Sequence, residues 1–381
     1  MNFCKNCVLP TTRPQVELEG DGLCNACAGA LEKKEKIDWM KRKDELTKLL
    51  ESNRSKDGNH YDCLIPVSGG KDSTWQVYTL INDFGLKPLT LTWKPQYRTE
   101  IGKRNLENLI NLGVDHIDFT VNPKIEKLFM KKSFIKNGSP ALCEHMVMYA
   151  TALRTAINYK IPIIVWGENP GLEYGGTSTD RENQYMNRDW ILKYGVSNGT
   201  FASDWVDDEL SKQDLLPYTF PSDDELEKSK IKPIFLGWYL KWDPLKIAHF
   251  SRKIGFEWGK EPQIGYYEFA DLDAPFVIIH HMFKWYKFGF TRLWDNLAIE
   301  IRNGRMTRKD AVDYIRDNPE KTPYRQIYQL CQYLEISEMK FWDIVEKHRN
   351  LSIWKQNSDG QWVIPDIVNE FGFFPDNYPK R

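Results

Sequence analysis

No apolar run in this chain is long enough to cross a membrane. The longest, such as residues 161–166 and 276–279, fall far short of the roughly 20 residues a spanning helix needs. Net charge is also missing, since 52 Lys and Arg face 53 Asp and Glu. That balance excludes the basic footprint of a protein whose main partner is nucleic acid or an anionic membrane. The N-terminus carries no charged segment followed by an apolar core, so no secretory signal is expected. Internal repeats and low-complexity tracts are lacking too, and 41% hydrophobic with 13% aromatic residues can fill a core, which excludes disorder. These absences leave a cytoplasmic globular protein long enough for two or three domains. Its fourteen Trp favour stacking pockets or broad helix interfaces.

Cysteine is scarce, and four of the seven sit at one end. Cys4, Cys7, Cys24 and Cys27 form two C-x2-C knuckles separated by sixteen residues, while Cys63, Cys143 and Cys331 stand alone. Cytosolic reducing conditions argue against structural disulfides. Each knuckle's tight turn aims two sulfurs at one ion, so the spacing points to a tetrahedral structural zinc. An iron–sulfur cluster and a redox pair are the rival readings. Gly20-Asp21-Gly22 supplies the turn that returns the second knuckle.

After a charged helical stretch and a turn cluster at 55–59, strands and helices alternate. Strands are expected over 61–67, 87–93, 114–121 and 161–166, and helices over 73–84, 100–112, 124–136 and 141–159. Such alternation predicts an α/β fold, a parallel sheet with helices on both faces. Periodicity fades after Gly167, the acidic stretch at 203–228 reads as solvated surface, and helical patterns return from Asp243. Thr307 and Asp310 have capping-box spacing. The expected organisation is a zinc-ribbon-like module at 1–30, a helical linker at 31–57, the α/β domain at 58–240 and a helical C-terminal region at 241–381.

The most informative stretch is Ser68-Gly69-Gly70-Lys71-Asp72-Ser73, directly between the first strand and the first helix. Two glycines let the backbone approach a ligand and turn successive N–H groups inward. The helix that starts there adds open donors and a positive dipole end. Two serine hydroxyls and the Lys71 charge complete an anion cradle at the carboxyl edge of the sheet, where open α/β folds bind ligands. The motif is neither a Walker A loop, whose first Gly would fall near Ile65, nor G-x-G-x-x-G.

This loop resembles the pyrophosphate (PP) loop of the ATP pyrophosphatases, which include ammonia-dependent NAD synthetase, GMP synthetase, asparagine synthetase and several tRNA-modifying ligases and thiolases. Three further features are the four-cysteine module, Gly167-Glu168-Asn169 after the fourth strand, and the run 301–308. Together the four make the chain similar to the N-acetyl sugar amidotransferases of the PseA and WbpG types, associated with bacterial surface polysaccharide and flagellar glycan sugars. The resemblance implies an adenine nucleotide alpha hydrolase-like sheet, cleavage of ATP between its α and β phosphates with Mg2+, and adenylation of a substrate oxygen later displaced as AMP. It implies ATP contacts from Ser68, Gly69, Gly70, Lys71, Asp72, Ser73, Thr92, Trp93, Gly167 and Glu168. Lys71 and Asp72 are then the catalytic residues, one stabilising the departing pyrophosphate and the other ordering the loop or the metal. The segment Thr92-Trp93-Lys94-Pro95-Gln96-Tyr97 departs from the family's run of Asn, Gly and Phe.

Ammonia must come from elsewhere. A glutaminase with an N-terminal nucleophile needs Cys at position 2, which is Asn2, and neither Cys63 nor Cys143 lies in a Gly-flanked turn. The resemblance implies a separate glutaminase paired with a synthase-like subunit (HisH/HisF type), a nucleotide-linked N-acetyl sugar as acceptor, and no nucleic acid or membrane partner. Asn169, Arg302 and Arg305 are the expected acceptor contacts, the arginines offering planar forks to phosphate or carboxylate within a basic, aromatic stretch at 281–309. His280 and His281 read as structural. The enzymatic rival is a tRNA thiolase or ligase of the same superfamily, which commonly carries a further C-x2-C that this chain lacks. The non-enzymatic rival is a zinc-ribbon interaction protein.

Overall fold

The computed structural model describes residues 1–379. Apolar strands alternate with amphipathic helices, and the chain satisfies both by burying the sheet between helical layers. The strands are β1 (Cys63–Pro66), β2 (Pro88–Trp93), β3 (Asp115–Phe119), β4 (Ile163–Trp166) and β5 (Lys232–Phe235). They pair in the order β3-β2-β1-β4-β5, all parallel. Helices α1 (Asn25–Glu35) and α2 (Trp39–Asn53) precede the sheet, while α3 (Lys71–Asn82), α4 (Glu100–Ile110), α5 (Pro123–Asn137) and α6 (Ala141–Asn158) connect its strands.

Side chains divide between the two faces with the strand period of two. Ile65, Ile163, Val165 and Ile234 pack with Leu46, Leu50, Val77, Leu80, Leu106 and Leu109 of α2, α3 and α4. Leu64, Leu89, Leu91, Ile164 and Trp166 meet Tyr149, Ala152, Leu153 and Ala156 of α6. Each buried Leu or Ile contributes about 1.5–3 kcal/mol relative to exposure, which is why β1, β2 and β4 read as nearly continuous apolar runs. The sequence pattern reveals four strands; the fifth, β5, escapes it. It is short, half-buried at Lys232 and Pro233, and stands at the edge, where a proline's missing N–H is tolerated. Tyr185 forms an antiparallel bridge to Ile234 there, and Met186 N donates to Pro233 O at 2.8 Å.

The chain runs outward from β1 to β3, then returns beside β1 as β4, so the topological switch point lies between β1 and β4. That crevice is where such sheets receive ligands. The C-terminal helices form an aromatic body around fully buried Trp285, Trp294 and Trp354, with Trp285 edge-on to Trp354 at 5.4 Å. Much of the Trp excess is spent here. The N-terminal knuckles share this core, Phe3 lying 5.0 Å from Phe371 and 6.4 Å from Trp294. Arg308 donates to the Cys4 and Cys7 carbonyls at 3.3 and 3.1 Å. The two ends of the chain therefore make one body. The capping box of Thr307 and Asp310 is present. In the acidic stretch, Asp207, Asp214 and Glu225 accept backbone N–H groups of local turns, with Asp207 and Glu225 exposed and Asp214 half-buried. Among the described residues no helix is long and apolar enough to cross a membrane.

Candidate active site

The loop after β1 forms the floor of the site. Gly69 has φ of 84°, and a Cβ there would lie 2.7 Å from the backbone nitrogen of Leu106 in α4, so only glycine fits. Gly70 precedes α3 without a capping side chain, which leaves the first helical amides open to an anion. Hydroxyls brace the loop from within. Gly70 N donates to Ser68 Oγ at 3.2 Å, and Ser73 Oγ and Thr74 Oγ1 donate to Gly70 O at 3.0 and 3.1 Å. Lys71 Nζ pairs with Asp72 and sits 5.5 Å from the Phe269 ring centre. The other Asp72 oxygen is buried with no hydrogen-bond partner among the described residues.

Above this floor lies a cavity of about 190 Å³ whose roof includes Phe269, Asp271, Asp273 and Arg292. An adjoining cavity of about 190 Å³ shares Ser68, Asp271 and Asp273 and runs along Val67, Thr92, Trp93, Arg98 and Glu144. Asp271, at φ of 56°, is held by Arg292 Nε at 3.3 Å and His281 Nε2 at 3.5 Å. Burial would raise its carboxyl, but Arg292 and His281 outweigh burial and keep it well below the usual range. Burial raises Asp273 to about 6 and, with Glu126 and Asp273 nearby, pushes Glu144 well above its ordinary value. Thr99 N donates to Asp273 O at 3.1 Å, and Gly102 lets α4 approach, since a Cβ there would meet Asp273 Cα at 2.8 Å.

Glu168 leaves β4 beside the loop and lines neither cavity. Burial and the nearby Asp72 carboxylate push Glu168 up to about 7, against the pull of Lys71. Tyr174 donates its hydroxyl to Glu168 Oε2 at 3.1 Å. Arg292 also feels Glu168, Tyr174 and Asp295 beyond its partner Asp271, so floor, roof and switch point form one electrostatic cluster. Its oxygens and cations can hold a polyanion and a hard divalent cation away from bulk water.

The roof also has relatives. Residues 263–367 match the family described as LPS biosynthesis protein WbpG-like, C-terminal domain. This part of the chain is similar to that domain. An uncharacterized protein of Methanocaldococcus jannaschii is 31% identical over 110 residues, 29% of this chain and 38% of that protein. The chain thus spans well under half of that relative's length. Among solved structures, NMN synthetase from Francisella tularensis aligns at 15% identity and a TM-score of 0.27, over 57% of this chain and 94% of that one. The NH3-dependent NAD synthetase from Campylobacter jejuni aligns at 15% identity and 0.29, over 57% and 93%. The matched segment contributes Asp271, Asp273, His281 and Arg292, four roof residues that the sequence pattern did not single out as ligand contacts.

Of the residues expected at the site, Ser68, Gly69, Gly70, Lys71 and Asp72 line the floor cavity, and Thr92 and Trp93 the adjoining one. The Ser73 and Thr92 hydroxyls are occupied, the latter donating to Val67 O. Gly167 stands behind the wall, accepting Gly237 N at 2.9 Å. The expected acceptor contacts lie elsewhere. Asn169 is fully buried and caps the next turn, accepting Gly171 N and donating to Asn183 O, both at 3.0 Å. Arg305 is clamped between Glu300 and Asp243. Arg302 turns toward the cysteines and donates to Glu173 O at 3.0 Å. Its planar fork ties the C-terminal helices to Glu173 rather than facing this cavity. His281, expected to be structural, instead faces Asp271 of the roof.

The sulfurs of Cys4, Cys7, Cys24 and Cys27 lie within 4.8 Å of one another and are buried. Cys4 and Cys27 are 3.8 Å apart, Cys7 and Cys24 3.7 Å. Zinc–sulfur bonds of about 2.3 Å in a tetrahedron require about 3.8 Å between sulfurs, so the donor set fits zinc. Cys24 N and Asn6 Nδ2 donate to the Cys4 and Cys27 sulfurs at 3.1 and 3.3 Å, which favours thiolates. Burial works against the Arg302 charge, yet the Cys7, Cys27 and Cys24 sulfurs hold it above its ordinary value.

Proposed function

We propose that the chain is an ATP-dependent amidotransferase. It converts the acetamido group of a nucleotide-linked N-acetyl sugar to an acetamidino group, releasing AMP and pyrophosphate, in bacterial surface polysaccharide or flagellar glycan biosynthesis. The observation that supports this most is a phosphate-loop floor after β1 closed by a roof from the segment that matches the WbpG-like family, in one cavity.

An amide does not exchange its oxygen for ammonia at useful rates, because oxide is a very poor leaving group. Attack of the amide oxygen on the α-phosphorus breaks the bond to the β-phosphate and sends out pyrophosphate. Ammonia then adds to the imidate carbon, the C–O bond breaks with AMP as leaving group, and the nitrogen's surplus proton passes to water. No covalent protein nucleophile is needed. The amides of Gly69, Gly70 and Ser73 hold the leaving phosphates, and Lys71 and Arg292 offset the charge that develops on them. Ser68 supports the loop, and Thr92 and Trp93 shape the nucleoside wall, with Gly167 behind it. Asp72 and Glu168 are oxygen donors that suit Mg2+, which would neutralise phosphate charge when bound. Zn2+ on the four cysteines is structural, and a separate glutaminase with a synthase-like (HisH/HisF-type) subunit delivers ammonia.

The test supplies purified protein with Mg-ATP, ammonium and UDP- or CMP-linked N-acetyl sugars. AMP, pyrophosphate and a product about one mass unit lighter are expected, as O is exchanged for NH. ADP formation, or AMP that appears only with tRNA, would overturn the reading. Lys71→Ala should abolish turnover with the fold intact, and Cys4→Ser should lower zinc content.

A further inference from the structure

We propose that a second cavity, between residues 13–15 of the N-terminal module and the helix Phe276–Phe288, binds the diphosphate of the nucleotide-linked acceptor, with the base against its aromatic wall. The proposal rests on the amidotransferase reading and names residues for its second substrate. The cavity has a volume of about 300 Å³, and Arg13, Tyr174, Phe283, Lys284, Lys287 and Phe290 carry its chemistry.

Charge is the first observation. Asp295, 1% exposed, receives Arg13 Nε at 2.6 Å and Lys284 Nζ at 3.0 Å. Lys287 has no carboxylate partner among the described residues; its Nζ donates to Asn137 O, and burial pulls it down to about 8. His280, on the same wall, is held neutral by burial, and Lys193 is already paired with Asp180 at 2.6 Å. Arg13 and Lys284 therefore share one carboxylate, and Lys287 adds a third cation with none. Uncompensated buried charge is costly, and a diphosphate diester, with two negative charges, balances it.

Shape is the second. The Arg13 guanidinium lies 5.5 Å from the Tyr174 ring centre and 5.9 Å from that of Phe290, and Lys284 Nζ lies 5.7 Å from Phe290. Flat apolar surface beside clustered cations suits a base joined to phosphate. Position is the third. Tyr174 lines this cavity and bonds Glu168, so an acceptor anchored here extends its sugar toward the phosphate loop. The loop supplies its own anion cradle, which leaves this second cationic cavity free for the other phosphorylated substrate.

Titration calorimetry with UDP-N-acetylglucosamine, UDP, uridine and free N-acetylglucosamine tests the site without turnover. UDP and the sugar nucleotide should bind, in the presence of ATP, at least about tenfold more tightly than uridine or the free sugar. Lys287→Met should weaken UDP about tenfold or more, Lys287→Arg should restore most of it, and ATP affinity should stay unchanged. Wild-type UDP affinity should also fall as salt rises, a readout that survives if Lys287→Met folds poorly. Unchanged UDP binding in a folded Lys287→Met protein, salt-independent UDP binding, or UDP that competes with ATP would overturn the proposal. Amidation that proceeds normally in Lys287→Met removes this site and leaves the amidotransferase reading. UDP binding lost in Lys287→Met, with no sugar amidated by wild type, keeps the site and removes that reading.

Discussion

The floor and the roof of the phosphate cavity face each other but are built by opposite means. The floor is six consecutive residues whose charges are settled locally, Lys71 against Asp72 and Ser68 against Gly70 N. Its working parts are backbone amides and the absence of a side chain at Gly69. The roof gathers Asp271, Asp273, His281 and Arg292, with the buried Asp271 held by Arg292 and His281. A floor of this kind should lose function before stability when altered. A roof of this kind should lose both together, because removing one member leaves the other charged and buried.

Arg292→Ala is the strongest way to break that contrast. It leaves Asp271 without its main cation and should cost roughly 3–5 kcal/mol, measured by denaturant unfolding, with AMP formation lost. Asp271→Asn combined with Arg292→Met should recover most of that stability and none of the activity. A cost below about 1 kcal/mol for Arg292→Ala would mean the roof pair is solvated like a surface bridge. Gly69→Ala forces a strained φ and a contact with Leu106, and should cost about 2 kcal/mol while abolishing ATP binding in a titration of the folded variant.

Contiguity decides how much of this could be read from the sequence. The loop is legible because six neighbours carry the whole signal between a strand and a helix, and the cysteine spacing is legible for the same reason. The roof is not, because Arg292 and Lys284 read as one side of a basic, aromatic helix until topology brings Asp271 and Asp295 to them. Arg302 and Arg305 mislead for the converse reason. They share a motif with the turn glycine at 304, yet their partners are Glu173 O for one, Glu300 and Asp243 for the other. β5 is missed because four residues with a proline at an edge carry too little periodicity. That the knuckles dock on the C-terminal helices depends on Phe3 and Arg308, which no local pattern marks.

Two further effects sharpen the contrast. Glu126, 1% exposed, lines neither cavity, and burial raises it from 4.5 to about 7. Its folded value exceeds its unfolded one, so its protonated form favours folding, and stability falls as pH rises from 4.5 toward 7. Glu126→Gln should remove roughly 3 kcal/mol of that decline, seen by comparing unfolding at acidic and mildly alkaline pH. The same comparison should leave the relative stability of Gly69→Ala nearly unchanged. Arg305→Ala, which leaves the buried Glu300 and Asp243 carboxylates without their shared cation, should cost roughly 3 kcal/mol and leave the KM for the acceptor unaltered. A raised acceptor KM would return Arg305 to the site.

The most direct test of the central claim follows one atom. An acceptor whose acetamido oxygen carries a heavy-oxygen label is turned over with Mg-ATP and ammonium, and the phosphorus products are analysed by mass spectrometry. Adenylation of the amide predicts that the label leaves in AMP, while pyrophosphate stays unlabelled. Label in pyrophosphate, in inorganic phosphate beside ADP, or retained in the sugar product would contradict the account.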